Sequence, residues 1–199
     1  VICDAILGNQ MFGIFNRKKK IVNEIALTVV QIVGVCFVGS KYIDKKNNFK
    51  PPRELWDDSY VLGFMYGLSG LFLHFNFSGS SMKTTDKGHI ILLVLANICG
   101  SNYSRSVSIV NEAANSRQNK GFNLGVEHSA TTYSALCGHV REDDDEPLLL
   151  KAKSLIKVDK DLNIQVPKFL KTLDKSRKSR IGAAVIKLTI MKHIKNKYI

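Results

Sequence analysis

The side chains able to do chemistry are few and lie scattered along the chain. Cys137-Gly138-His139, with His128 eleven residues earlier, puts one thiol and two imidazoles on a single segment. Zinc takes four such ligands, usually as two local pairs. No second pair stands elsewhere, so these residues read as a core cysteine beside half-exposed histidines. The other cysteines, Cys3, Cys36 and Cys99, form no CxxC pair. That excludes a sequence-evident zinc ribbon, a thioredoxin-type centre and a dense disulfide scaffold. Asp57-Asp58 is a carboxylate pair, but neighbouring helical residues point about 100° apart and do not converge on one substrate atom. The pair reads instead as negative charge placed at a helix start. No GxSxG, P-loop, HExxH or GxGxxG string occurs. The sequence thus offers no catalytic residue, metal-ligand set or cofactor motif, and the expectation is a non-enzymatic protein.

Charge is the property with a clear asymmetry. The chain of 199 residues carries 29 Lys plus Arg against 17 Asp plus Glu, a formal net of +12. Residues 1–147 hold 15 basic and 14 acidic groups, a net of +1, whereas residues 148–199 hold 14 basic and 3 acidic groups, a net of +11. Nearly all the surplus therefore belongs to the C-terminal tail. Lysine supplies 22 of the basic groups and arginine only 7. Lysine, isoleucine and asparagine share AT-rich codons, so genome bias alone could produce this pattern. Base reading leans on arginine, whose planar fork matches guanine and phosphate bidentately. A lysine tail favours non-specific contact with a polyanion, either nucleic acid or an anionic membrane surface. The residues expected to make it are Lys168, Lys171, Lys175, Arg177, Lys178, Arg180, Lys187, Lys192 and Lys195. On a 100° wheel Lys187, Lys192 and Lys195 spread over roughly 140°, a loose stripe. The acidic run Glu142–Glu146 just before the tail reads first as a solvated linker. Second comes a mask over the basic tail. Cation chelation is weakest, because the glycine and spacing of a calcium loop are missing.

The elements that must position these groups follow from apolar spacing. Residues 1–20 are expected to stand outside the fold, disordered or artefactual, since Met11 opens a natural-looking start. Ile21–Gly39 is nearly all apolar, with Glu24, Thr28 and Gln31 in one narrow stripe, and predicts a buried helix. Arg17–Lys20 ahead of it also gives it the outline of a signal or anchor segment, but no A-x-A site follows and the run is short for a span. Pro51-Pro52 ends a polar connector, and Pro52 can open the next helix, which would extend to about Phe75. Gly63, Gly67 and Gly70 line one face of that helix and predict close approach of another backbone, that of the segment carrying Gly121 and Gly125. Thr84 or Thr85 would cap a third helix ending at Gly100. A 3.6-residue period from Tyr103 to Val140, interrupted at Asn119-Lys120-Gly121, predicts two more.

Beyond the acidic run, Leu148–Ile156 reads as helical and Leu155–Val166 as a short β-hairpin alternative. Ile181, Ala184, Val185, Leu188, Met191 and Ile194 predict an amphipathic final helix. The fold expected is all-α. A helical bundle-like core of four to five helices over residues 21–141 leads through an acidic linker, 142–147, to a basic, mainly helical tail, 148–199, separable from the core. The function expected is a helical interaction or regulatory module whose tail contacts polyanions. The alternatives are a purely structural protein–protein module or homo-oligomer, and a membrane-anchored or exported protein using 21–39. The expected location is cytoplasmic.

Overall fold

The structure, a computed structural model, describes residues 2–38, 40–43, 50–77, 82–116, 119–141, 143–159 and 177–199. Among the described residues the protein is all-α, with seven helices packed together and no strands. Helix α1, Ile2–Val35, is 34 residues long. Its backbone is helical through the segment expected to lie outside the fold. Ile21, Ile25, Val29, Ile32 and Val33 recur at helical spacing and are buried. Asn23, Glu24, Leu27 and Gln31 form the solvent side. Thr28 does not join that side: it is buried, and its hydroxyl donates to the Glu24 carbonyl at 2.8 Å. Returning its hydroxyl to the preceding turn lets threonine pass as a core residue.

Pro52 does not open a long helix. It precedes a 3₁₀ turn, Arg53–Asp57, and helix α2 runs Ser59–Asn76. Asp58 between them is extended (φ −79°, ψ 111°), so the chain turns a corner there and the long helix begins only afterwards. Helix α2 is the centre of the molecule, with Val61, Leu62, Phe64, Met65, Leu68 and Phe72 fully buried. Helix α3, Thr84–Cys99, starts at Thr84 with Lys83 in the capping position, so neither threonine caps it; Gly100, with φ 56°, ends it. Helices α4, Tyr103–Ser116, and α5, Lys120–Leu136, are separate. Asn119 caps α5 by accepting from the Phe122 amide at 3.0 Å.

Two glycines decide how α2 and α5 meet. A Cβ at Gly63 would run into the backbone carbonyl of Phe122, and one at Gly125 into the carbonyl of Tyr60. The two backbones touch at these points, which only a residue without a side chain permits. Gly67 lies over Val126 and Ser129 of α5, whereas Gly70 faces Ile91 of α3 with ordinary clearance. The small face is thus divided between two neighbours.

Helix α6, Pro147–Val158, has its proline in the first turn, where no amide partner is lost. Its helical course to Val158 replaces the first part of the hairpin reading, and residues 160–166 lie outside the described residues. The last helix, α7, begins as Arg177–Ile186, passes through a π-turn at Lys187–Met191, and ends as Lys192–Tyr198. Before the π-turn, Ile181, Ala184 and Val185 pack with Ala135, Leu149 and Ala152 in a small core. At its edge and beyond it, Ile186, Ile190 and Ile194 enter the main core with Val29, Phe64 and Leu68. An extra residue in one turn re-aims a helix face, and here it accompanies the passage from one cluster to the other. The final helix is packed into the core, not set apart from it.

Candidate functional site

The densest polar cluster among the described residues gathers at Asp58, where α7 ends against the start of α2. Oδ1 of Asp58 accepts from the amides of Tyr60 and Val61, at 2.9 and 3.1 Å, which caps α2. Oδ2 accepts from His193 Nε2 at 2.9 Å, Lys197 Nζ at 2.8 Å and the Tyr198 hydroxyl at 2.8 Å. An ionised carboxylate only accepts, so His193 carries a proton on Nε2. The Asp58 side chain is 3% exposed, while those of His193 and Lys197 are 30% and 55% exposed. Burial by itself would raise the Asp58 carboxyl. The hydrogen bonds from His193, Lys197, Tyr198 and the Val61 amide outweigh it and hold the group well below the ordinary carboxylate range.

The network continues inward. The His193 ring lies on Tyr60, with centroids 4.3 Å apart. The Tyr60 hydroxyl meets His128 Nδ1 at 2.7 Å. Burial pushes the Tyr60 phenol up, helped by the nearby Cys36 and Asp58, so it stays protonated. Desolvation lowers His128, against a smaller opposing effect of Glu127, which favours the neutral imidazole. In the Nε2–H tautomer of that imidazole Tyr60 donates to Nδ1, and in the Nδ1–H tautomer the direction reverses. Next to Asp58, Asp57 pairs with Arg105 at 2.7 Å. The chemistry of the arrangement is that of a tether between the first turn of α2 and the last turns of α7.

The residues expected to contact polyanions divide into groups. Lys168, Lys171 and Lys175 lie outside the described residues, and Arg177 and Lys178 are described only as helical backbone. Arg180 donates to the carbonyls of Ile156 and Asp159, at 3.3 and 3.1 Å, and so closes the C-terminal end of α6. Lys187 pairs with Asp159 at 2.6 Å. Lys192 and Lys195 are exposed on the outer side of α7. Of the acidic run, Asp144 accepts from the Arg141 amide at 2.7 Å, and Lys153 reaches the carbonyls of Arg141 and Asp144. These contacts are local to the α5–α6 connection.

His128 belongs to the Tyr60 pair and His139 is exposed. No group of three His, Cys, Asp or Glu side chains among the described residues is arranged to hold a metal ion. Cys36 is buried and its thiol is pushed up to about 12, chiefly by desolvation; Cys99 rises to about 11 for the same main reason. Neither is an activated thiol. No helix among the described residues is long and apolar enough to cross a membrane. The tether itself escaped the sequence reading, which took Asp58 for a helix cap alone. The available signal was the spacing of His193 and Lys197, four apart on one face of a helix, together with a capping aspartate that has a second oxygen to satisfy. Comparison of the chain with protein-family models, with curated proteins and with solved structures gives no match.

Proposed function

We propose that this protein is a non-enzymatic helical interaction module that contacts the phosphate backbone of nucleic acid, without sequence preference, through the basic outer side of α7. One observation carries the reading. From Arg177 to Tyr198 the helix holds seven lysines and arginines and no acidic residue, and its isoleucine side is buried. Burial of Ile186, Ile190 and Ile194 fixes which side faces out, and Lys192 and Lys195 stand on it.

A nucleic acid is favoured over a membrane surface for a physical reason. An interfacial helix binds by laying an apolar face into the headgroup boundary, and the apolar face of α7 is already used inside the protein. Phosphate neutralisation needs only positive potential, whereas base reading needs Arg, Asn or Gln presented in register. The contact is therefore weak and tolerant of sequence.

Titration of duplex DNA, single-stranded RNA and anionic vesicles at low salt tests the reading. Both nucleic acids should bind at micromolar protein. Log affinity should fall linearly with log salt, by about 0.9 per phosphate contacted on duplex DNA. Lys192→Gln with Lys195→Gln should lower that slope by roughly 1 to 2. Binding to vesicles alone, or to none of the three, overturns it. The second outcome leaves the structural-module alternative, which the internal engagement of Arg180, Lys187 and Lys197 favours.

A further inference from the structure

Asp58 offers the end of α7 what a phosphate oxygen would offer it. Its Oδ2 gathers an imidazole N–H, an ammonium and a phenol O–H from His193, Lys197 and Tyr198, each within 2.9 Å. These are the donor types that hold phosphate oxygens in protein–nucleic acid contacts. They lie on the same two turns as the exposed Lys192 and Lys195.

Resting on the nucleic-acid reading above, we propose that Asp58 is a built-in competitor for phosphate, so that docking of the last turns of α7 on α2 and engagement of Lys197 with a nucleic-acid backbone exclude one another. The geometry makes the exclusion local. Lys197 is more than half exposed and can be approached from solvent, whereas the Asp58 carboxylate is almost fully covered. A phosphate meeting Lys197 in its docked position would set a second anion beside the buried Asp58 carboxylate, which like-charge repulsion opposes, so the lysine leaves Asp58 to meet it. Ile194 is the last fully buried residue of the helix. Beyond it Lys195, Asn196 and Lys197 are exposed and Tyr198 is half-buried. Asp58 holds that stretch together with the Glu54 carbonyl, which the Tyr198 hydroxyl reaches at 3.4 Å, and the Tyr198 ring packs at the edge of the main core. Its release gives up the partial burial of Tyr198 but leaves Ile186, Ile190 and Ile194 in place. By linkage, whatever weakens the fastening strengthens nucleic-acid binding, and bound nucleic acid loosens the fastening by the same factor.

Asp58→Asn is the informative variant, because asparagine caps a helix about as well as aspartate while its amide presents donors to donors at Lys197 and His193. Glu54→Gln is the charge control. It removes one negative charge from the preceding turn, and Glu54 makes no ion pair among the described residues. Fluorescence anisotropy with a labelled single-stranded oligonucleotide at about 0.1 M salt supplies the readout, where each further phosphate contact is worth about fivefold. Asp58→Asn should bind at least about fivefold tighter than Glu54→Gln. Adding Lys197→Gln should abolish that gain, whereas Lys197→Gln alone should shift affinity less than about twofold. Equal affinities for Asp58→Asn and Glu54→Gln overturn the proposal. Hydrogen exchange on the unmodified protein gives an answer that needs no variant to fold. Saturating oligonucleotide should speed exchange at the amides of residues 195–198, and unchanged or slower exchange there overturns the competition. If the oligonucleotide binds no form of the protein, the nucleic-acid reading itself has failed; binding without the Asp58→Asn gain removes the competition alone.

Discussion

The carboxylate of Asp58 and the imidazole of His193 meet at 2.9 Å across 135 positions of sequence. Because the same carboxylate caps α2, one side chain orders both the start of the central helix and the end of the last one. Removing it takes away the cap, worth about 1 kcal/mol, and leaves Lys197 and His193 facing a void. Loss of one partner from a buried ion pair costs about 3–5 kcal/mol, and the exposure of Lys197 places this case at the lower end. Asp58→Ala should therefore lower the unfolding free energy in urea by about 3 kcal/mol. A loss under about 1 kcal/mol would mean the cap alone matters there.

The same carboxylate should make stability depend on acid. Its native pKa lies below the unfolded value of 3.8, so the unfolded chain takes up the proton first as pH falls. The stabilisation is fully present above the unfolded value and drains away as pH drops through the native one. Urea midpoints of the parent and Asp58→Asn should differ by a constant amount from neutral pH down to the unfolded value of 3.8, draw together below it, and converge only in strong acid. A gap that is the same at pH 7 and in strong acid would assign the acid sensitivity to other carboxylates.

The glycines make a prediction of sign. Alanine at Gly63 or Gly125 brings a methyl group onto backbone atoms that cannot rotate aside, and overpacking of this kind costs about 1–3 kcal/mol. Gly67→Leu should fall in the same range, since Val126 Cα lies 3.2 Å from the added Cβ. Gly88 in α3 has nothing within 4 Å of its Cβ position. Gly88→Ala should instead stabilise by about 0.5–1 kcal/mol through helix propensity and a stiffer unfolded chain. Thermal melts of the four variants should rank in that order; a stabilised Gly63→Ala would contradict the close approach of α2 and α5.

What could be read in the sequence was what repeats locally. Apolar spacing marked α3, α4, α5 and the buried half of α1, and Asn119 marked the break before α5, because caps and periods are properties of neighbouring residues. The position of α7 was not legible in that way. Its isoleucines announce an apolar face but not which surface covers it, and the π-turn that accompanies the passage from one cluster to the other has no residue signature. The Asp58 cluster was hidden for the same reason, since a capping aspartate looks identical whether its second oxygen meets water or a distant lysine. The charge count at Glu142–Pro147 suggested a boundary, yet charge lives on surfaces, and the apolar side of the same basic helix crosses that boundary into the core.

Ile190 and Ile194 are fully buried, and together with Ile186 they lie in one cluster with Val29, Phe64 and Leu68. Deleting α7 would expose apolar surface on the core it covers and remove its three isoleucines. Ile190→Ala and Ile194→Ala should each destabilise by about 2–5 kcal/mol, whereas Ile199→Ala, at a position 57% exposed, should stay within about 0.5 kcal/mol. Losing several such contacts at once exceeds a usual stability of about 5–15 kcal/mol or comes close to it. A chain ending at Arg141 should therefore keep some helical circular dichroism but lose its sharp thermal transition and bind a hydrophobic dye, as a loosely packed state does. A cooperative melt in that shortened chain would instead show that helices α1 to α5 close their own core and that the basic tail is an attachment to it.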